Sequence, residues 1–422
     1  MMRSLCSLLL LVCWSVLSAQ DPAAITARAR QYLDTLTSPA FHGRGYVNNG
    51  QGIAAEWIAR QYARLGLKPV KQDFFQPFAF NVNSFPDSVG VRVDGRQLVP
   101  GTEFLVDPSS GRAEGSFTLV HMAPADLWSP ERKAMTLGVL TGKAACVHWP
   151  ATKDRDSLQR FQALERELLH YGPVVKAVPG KLTWSVSQES LPFPLIEVAN
   201  GLLTDSSATV DLHVLNRMLV RHPARNVLGM VKGRSKDWVV VSAHYDHLGR
   251  MGPDALFPGA NDNASGVAML LSLAEWFAQH TPKHNILFAA FAGEEAGLIG
   301  SEWCAVDRPI DFGRVKLMVN LDILGTGDDG ITVVNATAEQ AHFDRLVALN
   351  TEKGLLKEVK PRGPACNSDH CPFVKRGIPA IFIYTLGGVA YYHDVLDKAD
   401  TLPLTEFADL HQLLREFIGT IK

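Results

Sequence analysis

The chain has 422 residues, which is longer than one average domain and predicts two domains or one domain with an insertion. Hydrophobic residues make up 46% of the chain and charged residues only 20%, so the composition excludes a disordered protein. The formal net charge of -2, with no block of Lys and Arg, gives no electrostatic footprint for nucleic acid, which leaves peptides or small molecules as expected partners.

Residues 1–19 have the order of a secretory signal peptide. Arg3 precedes an apolar run over residues 5–17, and the small residues Ser18 and Ala19 follow it. The run is short for a membrane span. We therefore expect a cleaved signal, a secreted or periplasmic protein and no membrane span in the mature chain. The alternatives are an N-terminal anchor and a lipoprotein signal read through residues 10–13, although Val12 fits the lipoprotein signal poorly.

Two patterns follow the signal. Apolar residues recur at helical spacing over residues 23–36 and 50–65, which predicts two helices. From residue 69 to 223 the sequence changes to short β-like segments, with a hairpin at Asp94-Gly95 and one polar helix near residues 154–170. This segment contains no dense cluster of ligand-type residues, and we interpret it as a β-rich inserted domain.

After residue 224 the pattern becomes alternating strand and helix. Strands are predicted at residues 227–231, 238–243, 286–291, 317–321 and 380–384, and helices near residues 264–278, 338–353 and 405–418. Continuous apolar strands separated by helices indicate an α/β fold with a mostly parallel central sheet and helices on both faces. The domain prediction is therefore 20–68 with 224–422, interrupted by the insert 69–223.

Residues of the types that bind metals lie directly after these strands and in the loop before one predicted helix. They are His244, Asp262, Glu294, Glu295 and Asp322. Ligands bind at the carboxyl ends of strands in such sheets, so these side chains are expected to converge. Imidazole and carboxylate donors without cysteine favour a two-metal hydrolase over a structural zinc site, with Zn²⁺ as the first candidate.

Each residue alone has a simpler explanation. His244 could be a hydrogen-bonded structural histidine, Asp246 a turn residue and Asp262 a helix cap, and the adjacent carboxylates Glu294 and Glu295 could form a solvated loop. Their convergence favours metal binding, because two adjacent carboxylates at the mouth of a sheet repel each other unless cations pair them.

The same stretches resemble peptidase family M28, the co-catalytic zinc peptidases that include aminopeptidases and glutamate-carboxypeptidase-like enzymes. The resemblance is carried by residues 243–249 (AHYDHLG), 259–266 (GANDNASG), 293–301 (GEEAGLIGS), 320–322 (NLD), 368–370 (SDH) and 392–393 (YH). These stretches occur in family order from about residue 226 to the C-terminus. The insert is similar, more loosely, to the protease-associated insert of some members.

The resemblance implies two Zn²⁺ ions per chain. His244 and Asp322 would bind one ion, Glu295 and His393 the other, and Asp262 would bridge both. By spacing alone, His370 competes with His393 for the last position, and the resemblance favours His393.

Further roles follow from the same resemblance. Glu294 would be the general base, Asp246 would orient His244, and Tyr392 would polarise the substrate carbonyl, with Tyr391 as its neighbour. His247 is interpreted as a bystander.

The expected function is a secreted zinc exopeptidase, with an aminopeptidase favoured. The alternatives are a glutaminyl-cyclase-like enzyme with one zinc, a metallo-carboxypeptidase or amidohydrolase on the same fold, and a binding protein without activity. A carboxypeptidase would need a basic clamp, for which Arg44, Arg250 and Arg362 are available, although each could equally be plain surface. The sequence predicts no oligomeric state and leaves open whether Cys366 pairs with Cys371.

Overall fold

A computed structural model describes residues 21–422, so the signal peptide predicted over residues 1–19 lies outside the described residues. Within residues 21–422 the strands are β1 (Lys68–Pro69), β2 (Phe75–Ser84), β3 (Gly90–Val93), β4 (Arg96–Gln97), β5 (Phe104–Val106), β6 (Ala113–Met122), β7 (Ala144–Val147), β8 (Val174–Val178), β9 (Leu195–Ala199), β10 (Thr209–Val214), β11 (Arg217–Val231), β12 (Trp238–His244), β13 (Gly249–Met251), β14 (Ala255–Phe257), β15 (Asn285–Phe291), β16 (Val315–Leu321), β17 (Ile331–Val334), β18 (Val359–Pro361) and β19 (Ala380–Thr385).

The α-helices cover the sheets and connect their strands. In the described part of the chain they are α1 (Pro22–Leu36), α2 (Gly50–Arg64), α3 (Pro124–Trp128), α4 (Pro130–Gly138), α5 (Arg155–Leu168), α6 (Ser265–Gln279), α7 (Ile299–Asp307), α8 (Gln340–Lys353), α9 (Cys371–Val374) and α10 (Phe407–Thr420). The sequence predicts α1, α2, α5, α6, α8 and α10, but it does not predict α3, α4, α7 or α9.

The larger sheet has nine strands and carries the ligand-type residues. Its order is β1-β11-β15-β12-β16-β19-β17-β18, with β2 also paired to β11. The central strands β15, β12, β16 and β19 run parallel to one another, and antiparallel pairs flank them. The prediction of a mostly parallel central sheet is confirmed.

Helices cover both faces of this sheet, as predicted. Val239 and Val241 of β12 are buried in one core together with apolar side chains of α1, α2, α6 and α10. Val240 points to the opposite face, where Cys304 of α7 and Phe373 of α9 belong to a second core. The alternation follows from the two-residue period of a strand, and it explains why the predicted strands are apolar throughout.

The second sheet has eight strands, in the order β4-β3-β10-β6-β7-β8-β9-β5. The β-rich character predicted for this segment is confirmed, including the hairpin of β3 and β4. In half of the sheet β6, β7, β8 and β9 run parallel, with α3, α4 and α5 between them in the sequence, whereas the sequence predicts only one helix in this segment.

Long strands and a shared core connect the two sheets. β2 and β11 pair over most of their length in the larger sheet, with a register shift between Leu219 and His222. Trp184, from the segment before β9, stacks on Phe257 of β14 with ring centroids 4.7 Å apart. The core of the smaller sheet therefore includes side chains from the part of the chain that follows residue 224.

Two further features bear on the expected environment of the protein. Cys366 and Cys371 form a disulfide, which settles the pairing that the sequence left open, and Cys146 and Cys304 are free and buried. Among residues 21–422, no helix combines the length and the apolar character that crossing a bilayer requires.

Candidate metal centre

Three neighbouring parallel strands bring four of the candidate residues to one edge of the large sheet. His244 is the last residue of β12, Glu294 and Glu295 follow the end of β15, and Asp322 comes directly after β16. Since β15, β12 and β16 are adjacent and parallel, their carboxyl ends meet, and the convergence expected from the sequence is present in the structure.

Asp262 reaches the same place from the loop that leads into α6. Gly259 in this loop has a φ of +60°, and a Cβ at this position would collide with the backbone oxygen of Asp262 and the ring of His247. The carboxylate of Asp397 accepts hydrogen bonds from the backbone N–H groups of Asn261 at 2.8 Å and Asp262 at 3.0 Å. The loop is therefore held from both sides, with the Asp262 side chain directed at the cluster.

The carboxylate of Asp262 lies between the two histidines. Its Oδ1 is 3.4 Å from Nε2 of His244, which is also 3.4 Å from Oδ1 of Asp322. Its Oδ2 is 3.2 Å from Nε2 of His393, which is also 3.2 Å from Oε2 of Glu295. One carboxylate thus faces two separate groups of ligand atoms, which is the arrangement for a ligand shared by two cations.

His393 comes from the segment after β19, and its orientation is fixed by Trp184, which lies between β8 and β9. Its Nδ1 donates a hydrogen bond to the backbone oxygen of Trp184 at 2.7 Å, and the backbone N–H of Trp184 donates to the His393 oxygen at 3.2 Å. A hydrogen bond of this kind fixes the tautomer and leaves Nε2 free to act as a ligand.

Asp246 is completely buried and organises the site differently from the expectation. Its carboxylate accepts hydrogen bonds from the backbone N–H groups of Glu294 at 3.1 Å and Glu295 at 3.3 Å, and from the hydroxyl of Tyr46 at 3.3 Å. Nδ1 of His244 is 3.2 Å from the backbone oxygen of Asp246 and 4.0 Å from its carboxylate. The main chain of Asp246 therefore contacts His244, and its side chain holds the loop of the two glutamates.

His247 is closer to the cluster than the sequence suggested. It is fully buried, and its Nδ1 is 2.7 Å from Oε1 of Glu295. Its nitrogen atoms also come within reach of Asp262 and Glu295 as a possible ligand group. Nε2 of His247 is buried without a hydrogen-bond partner. We favour His393 over His247 as the ligand, because Nε2 of His393 lies 3.2 Å from a carboxylate oxygen of both Asp262 and Glu295. The sequence signal for His247 is its position three residues after His244, in the loop that follows β12.

His370 does not join the ligand group. Its Nε2 donates to the backbone oxygen of Ala365 at 2.8 Å, and its ring packs 5.5 Å from that of Phe382. The neighbouring Ser368 is instead connected to the site, because its hydroxyl donates to Oδ2 of Asp322 at 2.8 Å. Ser368 belongs to the stretch 368–370 but has no role assigned from the sequence, because the sequence does not show that its hydroxyl contacts Asp322.

The three arginines considered as carboxylate clamps have different environments. Arg44 is fully buried and donates hydrogen bonds only to backbone oxygens of the surrounding loops. Arg250 donates to the backbone oxygen of Pro253 at 2.9 Å. Arg362 lines the cavity beside the ligand residues. Arg44 therefore cannot meet a substrate, and of the three only Arg362 is among the residues that line this cavity.

The environments of the adjacent glutamates push their pKa values in opposite directions. Burial and the carboxylates of Glu295 and Asp369 raise the pKa of Glu294 well above its ordinary value, against the opposing charge of His244. Burial would also raise the pKa of Glu295, but its contacts with His393 and His247 overcome this effect and hold the pKa well below the ordinary value. Glu295 is suited to remain ionised, and Glu294 is suited to accept a proton.

A cavity of about 330 Å³ opens onto the cluster. Polar ligand residues form its floor and apolar or aromatic side chains form part of its wall; they are His244, Asp262, Glu294, Asp322, Ile323, Arg362, Asn367, Phe382, Tyr384 and Tyr392. The size is in the range of pockets for small ligands. Glu294 and Tyr392 both face this cavity, whereas the carboxylates of Asp246 and Asp397 lie behind it.

Tyr392 stacks on His393, with ring centroids 3.8 Å apart, and 54% of its surface is exposed. Partial burial and the nearby carboxylates of Asp262, Glu295 and Glu294 raise the pKa of Tyr392. Its hydroxyl is therefore protonated at neutral pH and can donate a hydrogen bond to a molecule in the cavity.

The donor atoms fit divalent transition metals. Among the described residues, Oδ1 of Asp322 is buried without a hydrogen-bond donor, although it faces His244. Imidazole nitrogen and carboxylate oxygen are the donors that Zn²⁺ accepts, and the cluster contains no thiolate. The residues present therefore fit two such ions, with Asp262 between them.

Comparison with known proteins gives a consistent result. The sequence model of peptidase family M28 matches residues 226–418. A protein of Arthroderma otae described as a "probable leucine aminopeptidase" is 31% identical over 198 residues, which covers 44% of this chain and 55% of that protein. A "probable zinc metalloprotease" of Pyrenophora teres f. teres is 37% identical over 139 residues, which covers 31% of this chain and 29% of that protein. The chain thus spans only about half, or less, of the length of these relatives.

Solved structures share the fold over nearly the whole chain. A zinc aminopeptidase from Bacillus subtilis superposes with a TM-score of 0.68 and 20% identity, covering 93% of this chain and 94% of that one. A peptidase M28 precursor from Shewanella amazonensis SB2B gives a TM-score of 0.70 and 17% identity over 95% of both chains. Residues 226–418 therefore match the model of peptidase family M28, and the chain shares its fold with these solved structures.

Proposed function

We propose that the protein is a zinc-dependent aminopeptidase that hydrolyses the first peptide bond of a peptide. The observation that supports this proposal best is the position of the Asp262 carboxylate. One of its oxygens faces His244, which is next to Asp322, and the other faces His393, which is next to Glu295. The five residues would hold two Zn²⁺ ions. When bound, the ions would supply an activated water and polarise the scissile carbonyl.

Glu294 is the proposed general base. It lies in the cavity wall with one oxygen 4.0 Å from Nε2 of His244, and its raised pKa suits a group that takes up a proton and returns it. Glu294 would accept the proton of the attacking water and then donate it to the leaving amine. The hydrogen bonds of Asp246 to the backbone of Glu294 and Glu295 would keep the base and the neighbouring ligand in place.

Tyr392 is the proposed donor to the carbonyl oxygen. Because its hydroxyl stays protonated, it could stabilise the negative charge that develops on that oxygen. We expect Tyr392→Phe to lower kcat about 100-fold with little change in KM, since loss of one such donor costs roughly 10²–10³ in kcat. An unchanged kcat would show that Tyr392 is only part of the cavity wall.

The preferred substrate follows from the cavity and from the relatives. The walls formed by Ile323, Phe382 and Tyr384 are apolar or aromatic, and they suit a large apolar side chain at the amino end. The relatives described as leucine aminopeptidases have names that agree with this preference. The disulfide Cys366–Cys371 supports export to an oxidising compartment, because such bonds persist there.

The central test is the substitution Glu294→Gln. We expect the variant to keep its metal content and to lose about 10²–10⁴ of its turnover, the usual contribution of a general base. Glu352→Gln, at an exposed position of α8, is the matched control and is expected to behave like the wild type. Near-normal hydrolysis by Glu294→Gln would refute the assignment of the base.

A second test concerns the metals and the end of the substrate that is recognised. Removal of metal by a chelator should abolish activity, and zinc should restore it; active protein without a transition metal would refute the proposal. Dipeptides with a blocked amino group should not be cleaved, whereas those with a blocked carboxyl group should be. The opposite preference, together with loss of activity in Arg362→Gln, would indicate a carboxypeptidase with Arg362 as its clamp.

A further inference from the structure

The smaller sheet contains a second group of metal-type ligands, which the sequence did not suggest. His121 lies near the end of β6, Cys146 is in β7 and His148 follows it. The parallel register places His121 beside Cys146, and the two-residue period of a strand brings His148 to the same side as Cys146. Nδ1 of His121 is 2.8 Å from Nε2 of His148, and Sγ of Cys146 is 3.4 Å from the same Nε2.

Each histidine has a second partner that fixes its tautomer. Nε2 of His121 is 2.7 Å from the backbone oxygen of Ser207, which can only accept, so this nitrogen carries the hydrogen. Nδ1 of His148 is 3.5 Å from a carboxylate oxygen of Asp205, which likewise favours the hydrogen on Nδ1. Metal-binding histidines commonly show this pattern, with one nitrogen on the ion and the other on a carbonyl or carboxylate.

The remaining nitrogens then face each other without a hydrogen between them. Nδ1 of His121 and Nε2 of His148 both present a lone pair at a separation of 2.8 Å, which is unfavourable unless a cation or an extra proton lies between them. The thiol of Cys146 has one hydrogen and can satisfy only one of the two nitrogens. A metal ion would satisfy both nitrogens and the sulfur at once.

We propose that His121, Cys146 and His148 bind a Zn²⁺ ion, with water as the fourth ligand. Two imidazoles and one thiolate are a ligand set that Zn²⁺ accepts, and the thiolate separates this site from the hard-cation sites of Mg²⁺ and Ca²⁺. Cys146 is buried and its pKa is raised to about 12, so its proton would leave to solvent only when the ion binds and replaces it.

The expected role of this ion is structural. It would join the ends of β6 and β7, and through Ser207 and Asp205 it would also hold the loop that precedes β10. The ligands belong to the eight-stranded sheet, whereas the proposed catalytic ligands belong to the nine-stranded one. Evidence against the zinc site in the smaller sheet would therefore leave the proposed catalytic site untouched, and the reverse also holds.

Cobalt substitution tests the site directly. The full chain is treated with a chelator, Co²⁺ is added, and the near-ultraviolet charge-transfer band of a Co²⁺–thiolate bond is recorded. The proposed catalytic cluster contains no cysteine, so the band reports only the second site. We expect the band in the wild type and in Cys304→Ala, whose buried cysteine is the matched control, and its loss in Cys146→Ala. Absence of the band in the wild type, or an equal band in Cys146→Ala, would overturn the proposal.

Zinc content provides a second measurement that does not depend on the buried cysteine. His121 is exposed, so His121→Ala should fold. This variant is expected to contain one zinc ion fewer per chain than the wild type by elemental analysis, with its hydrolytic activity unchanged. An unchanged zinc content would mean that the two histidines share a proton rather than a metal ion, and the proposed site would be wrong.

Discussion

Arg44 provides a quantitative test of how the proposed bridging residue is held. Its guanidinium donates to the backbone oxygens of Tyr245 at 2.8 Å, Pro258 at 2.7 Å and Gly259 at 2.7 Å. Longer hydrogen bonds reach Leu36 at 3.1 Å and Asp262 at 3.4 Å. One side chain thus connects the end of α1, the loop after β12 and the loop that carries Asp262.

The substitution Arg44→Met removes all five hydrogen bonds and leaves the buried backbone oxygens without this donor. The burial that lowers the pKa of Arg44 to about 10 shows that it has little access to water, so water cannot easily replace the lost donors. A buried acceptor left without its donor typically costs about 1–3 kcal/mol, so we expect the loss of several such donors to cost about 3 kcal/mol or more in total. Arg44→Lys retains the charge but cannot reproduce the planar arrangement of donors, and we expect it to lose roughly 2 kcal/mol or more.

Urea titration of the metal-free proteins measures these losses as differences in the free energy of unfolding. Arg60→Met, at an exposed position of α2, is the control for the change of residue type and should lie within about 0.5 kcal/mol of the wild type. We also expect Arg44→Lys to bind zinc more weakly, since the loop of Asp262 is less constrained. A stability of Arg44→Met within about 1 kcal/mol of the wild type would refute this reasoning.

Two other predictions concern residues outside the proposed ligand set. Burial lowers the pKa of His411 to about 4, whereas its ordinary value in the unfolded chain is about 6.5. The unfolded state therefore binds a proton first as the pH falls, and His411 should cost about 2 kcal/mol of stability between pH 7 and pH 5. His411→Gln should remove this loss in urea titrations at the two pH values, and an equal loss in the variant would contradict the assignment. Replacing both Cys366 and Cys371 by Ser should lower the free energy of unfolding by about 2 kcal/mol, because the unfolded chain regains the conformational entropy that closing so short a loop removes. Turnover should also fall, because Ser368 in that loop donates to Asp322; an unaffected kcat would show that the loop stays in place without the bond.

The large sheet was predictable from sequence because its strands are apolar on both faces. Residues such as Val239, Val240 and Val241 leave no polar alternation that would suggest an exposed face. The candidate ligands at the strand ends were predictable for the same reason, since the carboxyl ends of adjacent parallel strands must meet. The closing histidine was different: spacing did not distinguish His393 from His370, and the family resemblance favoured His393.

Features that depend on tertiary contacts were not predictable. α4 has no buried residue and is largely polar, so no apolar stripe marked it as a helix. Arginine is usually a surface residue, and only the fold shows that Arg44 is buried among backbone oxygens from separate loops. His121 and Cys146 are far apart in sequence, and they become neighbours only through the register of β6 with β7.

The pair of hydrogen bonds between Trp184 and His393 limits how the molecule can be divided. Trp184 lies in the segment between the two parts of the predicted catalytic domain, yet its carbonyl orients a proposed metal ligand of that domain. The indole N–H of Trp184 is itself bonded to the backbone oxygen of Val106, at 2.7 Å, in the smaller sheet. The segment is therefore not an interchangeable module, and replacing it with the equivalent segment of a relative would change zinc affinity even if every ligand residue were retained.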